Sequence, residues 1–169
     1  MAADLELLTV GRISVDLYAR ETGVGFDGPQ TFVKSLGGSP TNVAVAAARL
    51  GHRAAVLTGV GADPFGQYLR RKLDGFGVDT RFVAVHPSLP TPLAFAAMDP
   101  PDDPHLIFYR EPAAPDLMIE SDDAVRAAAA EVAVLWVTGS ALSYPVSADT
   151  VGDLLAAGRR RSPGVVDLE

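Results

Sequence analysis

The sequence contains no cysteine among its 169 residues, and it has only three histidines. Without cysteine there is no disulfide framework and no thiolate metal site. His52, His86 and His105 are far apart and lack the short spacing of zinc ligands, so we expect them on the surface or in loops. The composition therefore predicts no metal site in this chain.

Long apolar segments are also missing. No stretch approaches the roughly 20 apolar residues that are needed to cross a bilayer. The first residues lack the basic start and the apolar run of a secretion signal. We therefore expect a cytoplasmic protein that does not bind membranes.

Positive charge is scarce, because 14 Lys and Arg residues against 21 Asp and Glu residues give a net charge of −7. Nucleic acid binding needs a basic face, so no nucleic acid partner is expected. The basic cluster Arg159-Arg160-Arg161 falls in the predicted last turn of a helix. There it would complement the helix dipole.

Several familiar motifs are incomplete or absent. Gly59-Val60-Gly61 begins like a dinucleotide-binding fingerprint, but Pro64 takes the third glycine position. The chain has no Gly-x-x-x-x-Gly-Lys-Ser/Thr loop and no Gly-x-Ser-x-Gly elbow. An NAD-dependent enzyme and a serine hydrolase are therefore disfavoured, and any ATP must be held in another way.

The chain does contain short apolar runs that alternate with helical patterns, at a length suited to one domain. The apolar runs predict buried strands of a parallel sheet at Leu5–Val10, Ala54–Gly59, Val132–Thr138 and Gly164–Leu168. The helical patterns predict helices at Thr41–Leu50, Pro64–Phe76, Ser121–Glu131 and Ser147–Arg161. This alternation predicts an α/β fold, an open, mostly parallel sheet flanked by helices.

A second set of strand-like segments has no helices between its members. These segments are Thr31–Leu36, Arg81–His86, Pro92–Met98 and Leu106–Arg110. Their polarity alternates, and the prolines of the loop 99–104 cannot join a ladder. They predict a small, partly antiparallel sheet that projects from the main one, formed by two inserted segments at approximately 12–36 and 81–110.

The stretch Gly37–Asn42 leads into an Ala-rich helical segment. Adjacent glycines permit backbone conformations closed to other residues and let a ligand approach closely. Ser39 or Thr41 can cap the helix and Pro40 suits its first turn, where Asn42 can donate and accept hydrogen bonds. This combination suits a polyhydroxylated ligand, although an ordinary loop and helix cap would use the same residues.

Asp16 lies close to the end of the first predicted strand. A carboxylate there is well placed to accept hydrogen bonds from sugar hydroxyls, and its alternative role is that of a turn or cap residue.

Taken in order, the strand, Asp16, the Gly-Gly turn and Asn42 resemble the N-terminal half of the ribokinase-like (PfkB) sugar kinases. The segments 57–66 and 77–80 continue this likeness, which covers essentially the whole chain. The resemblance implies a ribokinase-like fold whose small sheet is a lid over the sugar. It also implies that Asp16 accepts hydrogen bonds from substrate hydroxyls, that Gly37 and Gly38 offer close backbone contacts, and that Asn42 completes the sugar site.

The segments 11–17 and 108–111 look like the members of that family that phosphorylate 5-dehydro-2-deoxygluconate in inositol catabolism. Arg110, on a predicted lid strand, could hold a carboxylate through two parallel hydrogen bonds, which fits a sugar acid. Alternatively, Arg110 pairs with Glu111 or with the Asp102-Asp103 loop, and Arg12 is a second candidate for the carboxylate.

The resemblance also implies what the chain lacks. Members of the family are roughly twice this length, and their Gly-Ala-Gly-Asp-type motif, which supplies the catalytic base, lies in the other half. We therefore expect this chain to be the N-terminal portion of one ribokinase-like domain, without the C-terminal half of the fold. It should contain no catalytic residue and should be inactive alone, with Asp167 and Glu169 either near a magnesium-phosphate site or simple strand-end carboxylates.

The predicted function is that of an ATP-dependent kinase, with Mg²⁺ as the partner of ATP, that phosphorylates a sugar acid. Family alternatives are a 2-keto-3-deoxygluconate kinase and a fructokinase, and an alternative of another class is a non-catalytic sugar-binding module. Dimers formed through the lid occur in the family, so a homodimer of the full protein is expected.

Overall fold

The computed structural model describes residues 5–158 and 164–167. Its helices are α1 (Ser39–Arg49), α2 (Pro64–Gly75), α3 (Asp123–Glu131) and α4 (Pro145–Gly158). Its strands are β1 (Leu7–Val10), β2 (Ser14–Thr22), β3 (Phe32–Gly37), β4 (Ala54–Gly61), β5 (Val83–His86), β6 (Leu93–Met98), β7 (His105–Tyr109), β8 (Val134–Thr138) and β9 (Gly164–Asp167). Short 3-10 helices span Pro115–Leu117 and Gly139–Leu142.

The main sheet is parallel, with the strand order β5-β4-β1-β8-β9. Its central strands are short and aliphatic, and β4 is buried along its whole length, as strands covered on both faces must be. One face packs against α3 and α4 through residues such as Val125 and Leu154. The other face packs against α1 and α2 through residues such as Ala44 and Leu69. The predicted α/β class, with helices on both faces, is confirmed.

A second sheet has the strand order β3-β2-β6-β7. The pairs β2–β3 and β6–β7 are antiparallel, whereas β2 and β6 are parallel. The predicted small, partly antiparallel sheet is therefore present, and its strands lie within residues 14–37 and 93–109.

The assignment of Arg81–His86 to this second sheet is wrong. β5 pairs in parallel with β4, from Thr58 opposite Val83 to Gly61 opposite His86, and it forms one edge of the main sheet. Val83 is buried in the core beside α2, while Ala84 and Val85 are exposed. An edge strand has the same mixed polarity as a strand of a projecting sheet, so the pattern could not separate the two.

Some predictions fall partly outside the described residues. The Arg159-Arg160-Arg161 cluster and Glu169 lie outside them, and so does the predicted end of the last helix. Within residues 5–158 and 164–167, no helix is long and apolar enough to cross a membrane.

Asp63 joins α2 to the start of the second sheet. Its Oδ1 accepts hydrogen bonds from the Gly66 N–H (2.8 Å) and the Thr91 hydroxyl (2.9 Å), and its Oδ2 accepts one from the Thr91 N–H (2.8 Å). Burial acts to raise the pKa of Asp63, but the hydrogen bonds from Thr91 and Gly66 hold it below its ordinary value. One carboxylate thus caps a helix and fixes the residue that precedes Pro92 and β6.

Replacing Asp63 should test this junction. Asp63→Ala is expected to lower the free energy of unfolding by about 2–3 kcal/mol, since it removes a helix cap and two further hydrogen bonds. Asp63→Asn keeps one acceptor oxygen and should lose less. Chemical denaturation of the three proteins at neutral pH measures both effects.

The pH dependence supplies the control. Because the folded-state pKa of Asp63 lies below its unfolded value, its contribution to stability is present above the unfolded pKa and is lost as pH falls through the folded pKa. The difference in stability between the wild type and Asp63→Asn should therefore shrink from about pH 7 to about pH 3. A constant difference would contradict the assigned role.

Candidate functional site

A cavity of about 290 Å³ lies between the second sheet and the start of α1. Four of the five binding residues predicted from the sequence line it, namely Asp16, Gly38, Asn42 and Arg110. Gly37, the fifth, does not line the cavity but lies directly beside Asp16. The structure thus brings the predicted residues together from three separate segments of the chain.

The floor of the cavity follows from the period of two along a strand. Ser14, Asp16 and Tyr18 alternate along β2 and face the same side of the sheet. In register, Ala94 and Ala96 of β6 lie opposite Asp16 and Tyr18. Because alanine side chains are small, they leave a depression between the larger side chains of β2 and those of Leu106 and Phe108 on β7, which also line the cavity.

Asp16 is only partly buried and is held by two neighbours on its own strand. Its Oδ1 accepts a hydrogen bond from the Ser14 hydroxyl at 2.6 Å, and its Oδ2 accepts one from the Tyr18 hydroxyl at 3.5 Å. Burial raises the pKa of Asp16, while the hydrogen bonds from Ser14 and Tyr18 act in the opposite direction. The carboxylate is oriented into a cavity in which its remaining acceptor capacity can serve a ligand.

The glycine pair makes this arrangement possible. A Cβ atom added to Gly37 would overlap the Asp16 carboxylate, and one added to Gly38 would overlap the Arg12 carbonyl oxygen. Gly38 also has a φ of +103°, which side chains rarely adopt. Only glycines therefore let β3 turn into α1 so close to β2.

The helix cap differs from the prediction. Gly38 itself is the N-cap of α1, and no side chain caps it. The Thr41 hydroxyl donates instead to the carbonyl oxygens of Gly37 and Gly38, at 2.7 Å each. The expectation that Ser39 or Thr41 caps the helix is therefore wrong, because the helix begins at Ser39. Asn42 does lie in the first turn, where its N–H donates to the Gly38 carbonyl oxygen at 3.0 Å.

Arg110 has no ion pair among the residues that the structure describes, so the expected alternatives, Glu111 and the Asp102-Asp103 loop, do not hold it. Its guanidinium carbon lies 4.1 Å from the centre of the Phe108 ring. Burial and the charge of Arg12 lower the pKa of Arg110, but an arginine stays protonated at neutral pH.

Arg12, the second candidate for carboxylate binding, lies in the same cavity but has a partner. Its Nε donates to Asp116 Oδ2 at 3.0 Å, and its Nη2 donates to Asp116 Oδ1 at 3.4 Å. Sequence reasoning missed Asp116 because 104 residues separate the two side chains. It also assigned no role in the site to Tyr18, whose only signal was the alternation along β2, or to Phe108, which was noted only as part of the segment 108–111.

An open parallel α/β sheet, with a second sheet over a cavity at the start of a helix, is the architecture that this chain shares with ribokinase-like carbohydrate kinases. The chain belongs to the PfkB family, since the sequence model of the pfkB family carbohydrate kinases matches residues 4–168. The resemblance found in the sequence is confirmed.

Individual relatives agree with this assignment. The chain is 34% identical over 167 residues to the 5-dehydro-2-deoxygluconokinase of Geobacillus kaustophilus (strain HTA426). The aligned region covers 98% of this chain and 50% of that protein. The crystal structure of fructokinase from Xylella fastidiosa is 27% identical with a TM-score of 0.83, and covers 97% of this chain and 50% of that one. The crystal structure of a putative ribokinase II from E. coli, in complex with ATP and Mg²⁺, is 25% identical with a TM-score of 0.83. The match covers 96% of this chain and 51% of that one. The chain spans about half the length of the curated relatives it matches.

The Gly38 turn can be tested against a second glycine. Gly51 also has a positive φ, of +90°, but nothing lies within 4 Å of an added Cβ atom there. Gly51→Ala should therefore cost only backbone strain, about 1 kcal/mol of unfolding free energy. Gly38→Ala should cost about 3 kcal/mol, because it adds an overlap with the Arg12 carbonyl oxygen. Equal losses in urea denaturation would contradict the close approach described for Gly38.

Asp16→Asn should leave the melting temperature unchanged or raise it at neutral pH. Because burial raises the folded-state pKa of Asp16 above its unfolded value, its stabilising effect is present below the unfolded pKa and is lost as pH rises through the folded pKa. The wild type should therefore lose stability relative to Asp16→Asn between about pH 4 and about pH 7. Thermal melts across this range measure the difference, and a relative gain by the wild type would refute the assigned environment.

Proposed function

We propose that this chain forms the sugar-binding half of an ATP-dependent kinase that phosphorylates a hydroxyl of a sugar acid, with 5-dehydro-2-deoxygluconate of inositol catabolism as the substrate. The observation that carries the proposal is Arg110, a partly buried guanidinium without an ion pair among the described residues, which lines the same cavity as Asp16. A planar guanidinium can bind a carboxylate through two parallel hydrogen bonds, and a neutral sugar offers it no such partner.

Asp16 and Arg110 line the same cavity, and no ion pair joins them among the described residues. The groups that shift the pKa of Asp16 are its own strand neighbours Ser14 and Tyr18, whereas those that act on Arg110 are Arg12, Asp116 and Glu111. Neither Asp16 nor Arg110 therefore neutralises the other. A ligand that carries both hydroxyls and a carboxylate complements this pair, with Asp16 as the hydroxyl acceptor and Arg110 as the donor to the carboxylate.

Three further residues are placed to support binding of the hydroxyl groups of a sugar. Asn42 can donate and accept in the first turn of α1, and Gly38 exposes backbone to the cavity, with Gly37 making room for Asp16. Relatives named 5-dehydro-2-deoxygluconokinase support the particular sugar acid.

ATP and Mg²⁺ belong to the proposal through the family, and ATP supplies the phosphoryl group that is transferred. The described residues include no cluster of three or more His, Asp or Glu side chains suited to a metal ion. We assign no residue of this chain to Mg²⁺. The family resemblance implies that the catalytic base lies in the other half of the fold, so we expect no phosphoryl transfer by the 169-residue chain alone.

The second sheet is proposed to act as the lid of the site. It carries large exposed apolar side chains, among them Val33, Ile107 and Tyr109. Such side chains are typical of surfaces that another protein covers, which supports a homodimer formed through the lid. We further propose that the protein acts in the cytoplasm.

Calorimetric titration of the folded chain with 5-dehydro-2-deoxygluconate, and with fructose as a neutral comparison, tests the proposal. We expect preferential binding of the acid. Arg110→Leu should weaken acid binding by roughly tenfold or more, because a hydrogen-bonded charge pair is lost, and should leave fructose binding unchanged.

A matched control is Arg71→Leu, which removes an exposed arginine of α2 that does not line the cavity. It should change neither affinity. Equal weakening of both sugars by Arg110→Leu would remove Arg110 as the carboxylate-binding residue, and tighter binding of fructose would favour a fructokinase. No binding of either sugar by folded protein would contradict a working acceptor site in this half.

A further inference from the structure

Asp116 is completely buried and accepts three hydrogen bonds from Arg12 and Ile13, two residues that line the cavity. Both of its oxygens accept from the Arg12 guanidinium, and Oδ2 also accepts from the Ile13 N–H at 3.1 Å. Burial raises the pKa of Asp116, while Arg12 and the Ile13 N–H act in the opposite direction. Burying a carboxylate costs free energy even when it is paired, so its presence next to residues that line the cavity suggests a role there.

The backbone of Asp116 is fixed to the main sheet. It lies in the 3-10 helix Pro115–Leu117, which packs so closely on β4 that a Cβ atom added to Gly59 would overlap the Pro115 carbonyl oxygen. Arg12, by contrast, lies in the connection between β1 and β2, where the chain passes from one sheet to the other. The hydrogen bonds of Asp116 therefore fix Arg12 relative to the main sheet.

The guanidinium of Arg12 has N–H donors that Asp116 does not use. A guanidinium carries five N–H groups, and Asp116 takes two of them. Only 12% of the Arg12 side chain is exposed, and no other hydrogen bond of its guanidinium is seen in the part of the chain that the structure describes. Partly buried donors that face a polar cavity without a protein partner are suited to a ligand.

Arg12 and Arg110 share this cavity, and their like charges repel. Arg12 acts to lower the pKa of Arg110, and Asp116 acts to raise it. One buried carboxylate thus makes it less costly for two guanidiniums to lie at the same end of the cavity.

We propose that Arg12 is a second arginine that binds the substrate carboxylate, and that Asp116 is the positioning residue that holds its guanidinium in place. This inference rests on the proposed sugar-acid substrate and assigns its carboxylate to both arginines. The guanidinium of Arg12 is held by its hydrogen bonds to Asp116, and the guanidinium of Arg110 lies over the ring of Phe108.

Asp116→Asn separates positioning from simple charge. The substitution removes a negative charge near the cavity, so electrostatic attraction alone would make acid binding equal or tighter. If Asp116 acts by positioning Arg12, acid binding should instead weaken by roughly tenfold or more, with fructose binding unchanged. Calorimetric titration of the folded 169-residue chain with 5-dehydro-2-deoxygluconate and fructose measures both.

Arg12→Lys is the second variant, and it keeps the test decisive if Asp116→Asn does not fold. Lysine retains the positive charge beside Asp116 but lacks the planar fork, so acid binding should fall while fructose binding stays the same. Arg71→Lys, on the exposed face of α2, is the matched control and should change neither.

Two results would overturn the inference by itself, provided that the wild-type chain binds the acid. One is acid binding that is unchanged or tighter in Asp116→Asn or in Arg12→Lys, and the other is an equal loss of acid and fructose binding, which would indicate a purely structural pair. Failure of the wild-type chain to bind the acid would instead overturn the proposed substrate class, and this inference with it.

Discussion

The close approach of two backbone segments at the base of the second sheet is the constraint on which the site depends. Gly37 and Gly38 pass so near to Asp16 and the Arg12 carbonyl oxygen that no side chain fits between them. This approach brings the start of α1 beside β2, although the two belong to different layers. This junction places Asp16, Gly38 and Asn42 in one cavity.

The site is costly to the fold. Burial raises the pKa of Asp16 and Asp116 and lowers that of Arg110, which means that each charged form is disfavoured where it lies. Replacing a buried ion pair such as Arg12–Asp116 by apolar side chains of similar volume is often neutral or stabilising. Asp63 differs, since its hydrogen bonds outweigh its burial and it strengthens the junction between α2 and β6. Asp63 therefore stabilises the fold in its charged form, whereas the charged forms of Asp16 and Asp116 do not.

The fold could be predicted from the sequence where a short local pattern indicates a buried strand or a turn. The central parallel strands are continuous apolar runs, and the Gly-Gly turn before α1 is a local signal, so both were predictable. The edge strand β5 was misplaced because its exposed side chains imitate a strand of the smaller sheet. Strand β2 was not among the predicted strands, although its side chains alternate between the two faces as those of a half-buried strand do. The pairing of Arg12 with Asp116 has no local signal at all, because only the packing of the 3-10 helix on Gly59 creates it.

Selectivity for a sugar acid in such a cavity would come partly from the cost of leaving the two guanidiniums without a carboxylate when a neutral sugar binds. Arg110 is partly removed from water, and the unused donors of Arg12 are mostly buried, so a ligand without a carboxylate would leave both guanidiniums poorly solvated. Sites built to satisfy a polar group reject analogues that lack it far more strongly than apolar pockets reject a change in size. Holding one arginine rigidly enlarges this penalty, because a fixed guanidinium cannot turn away to find another partner. The buried Asp116 would thus contribute to discrimination without touching the ligand.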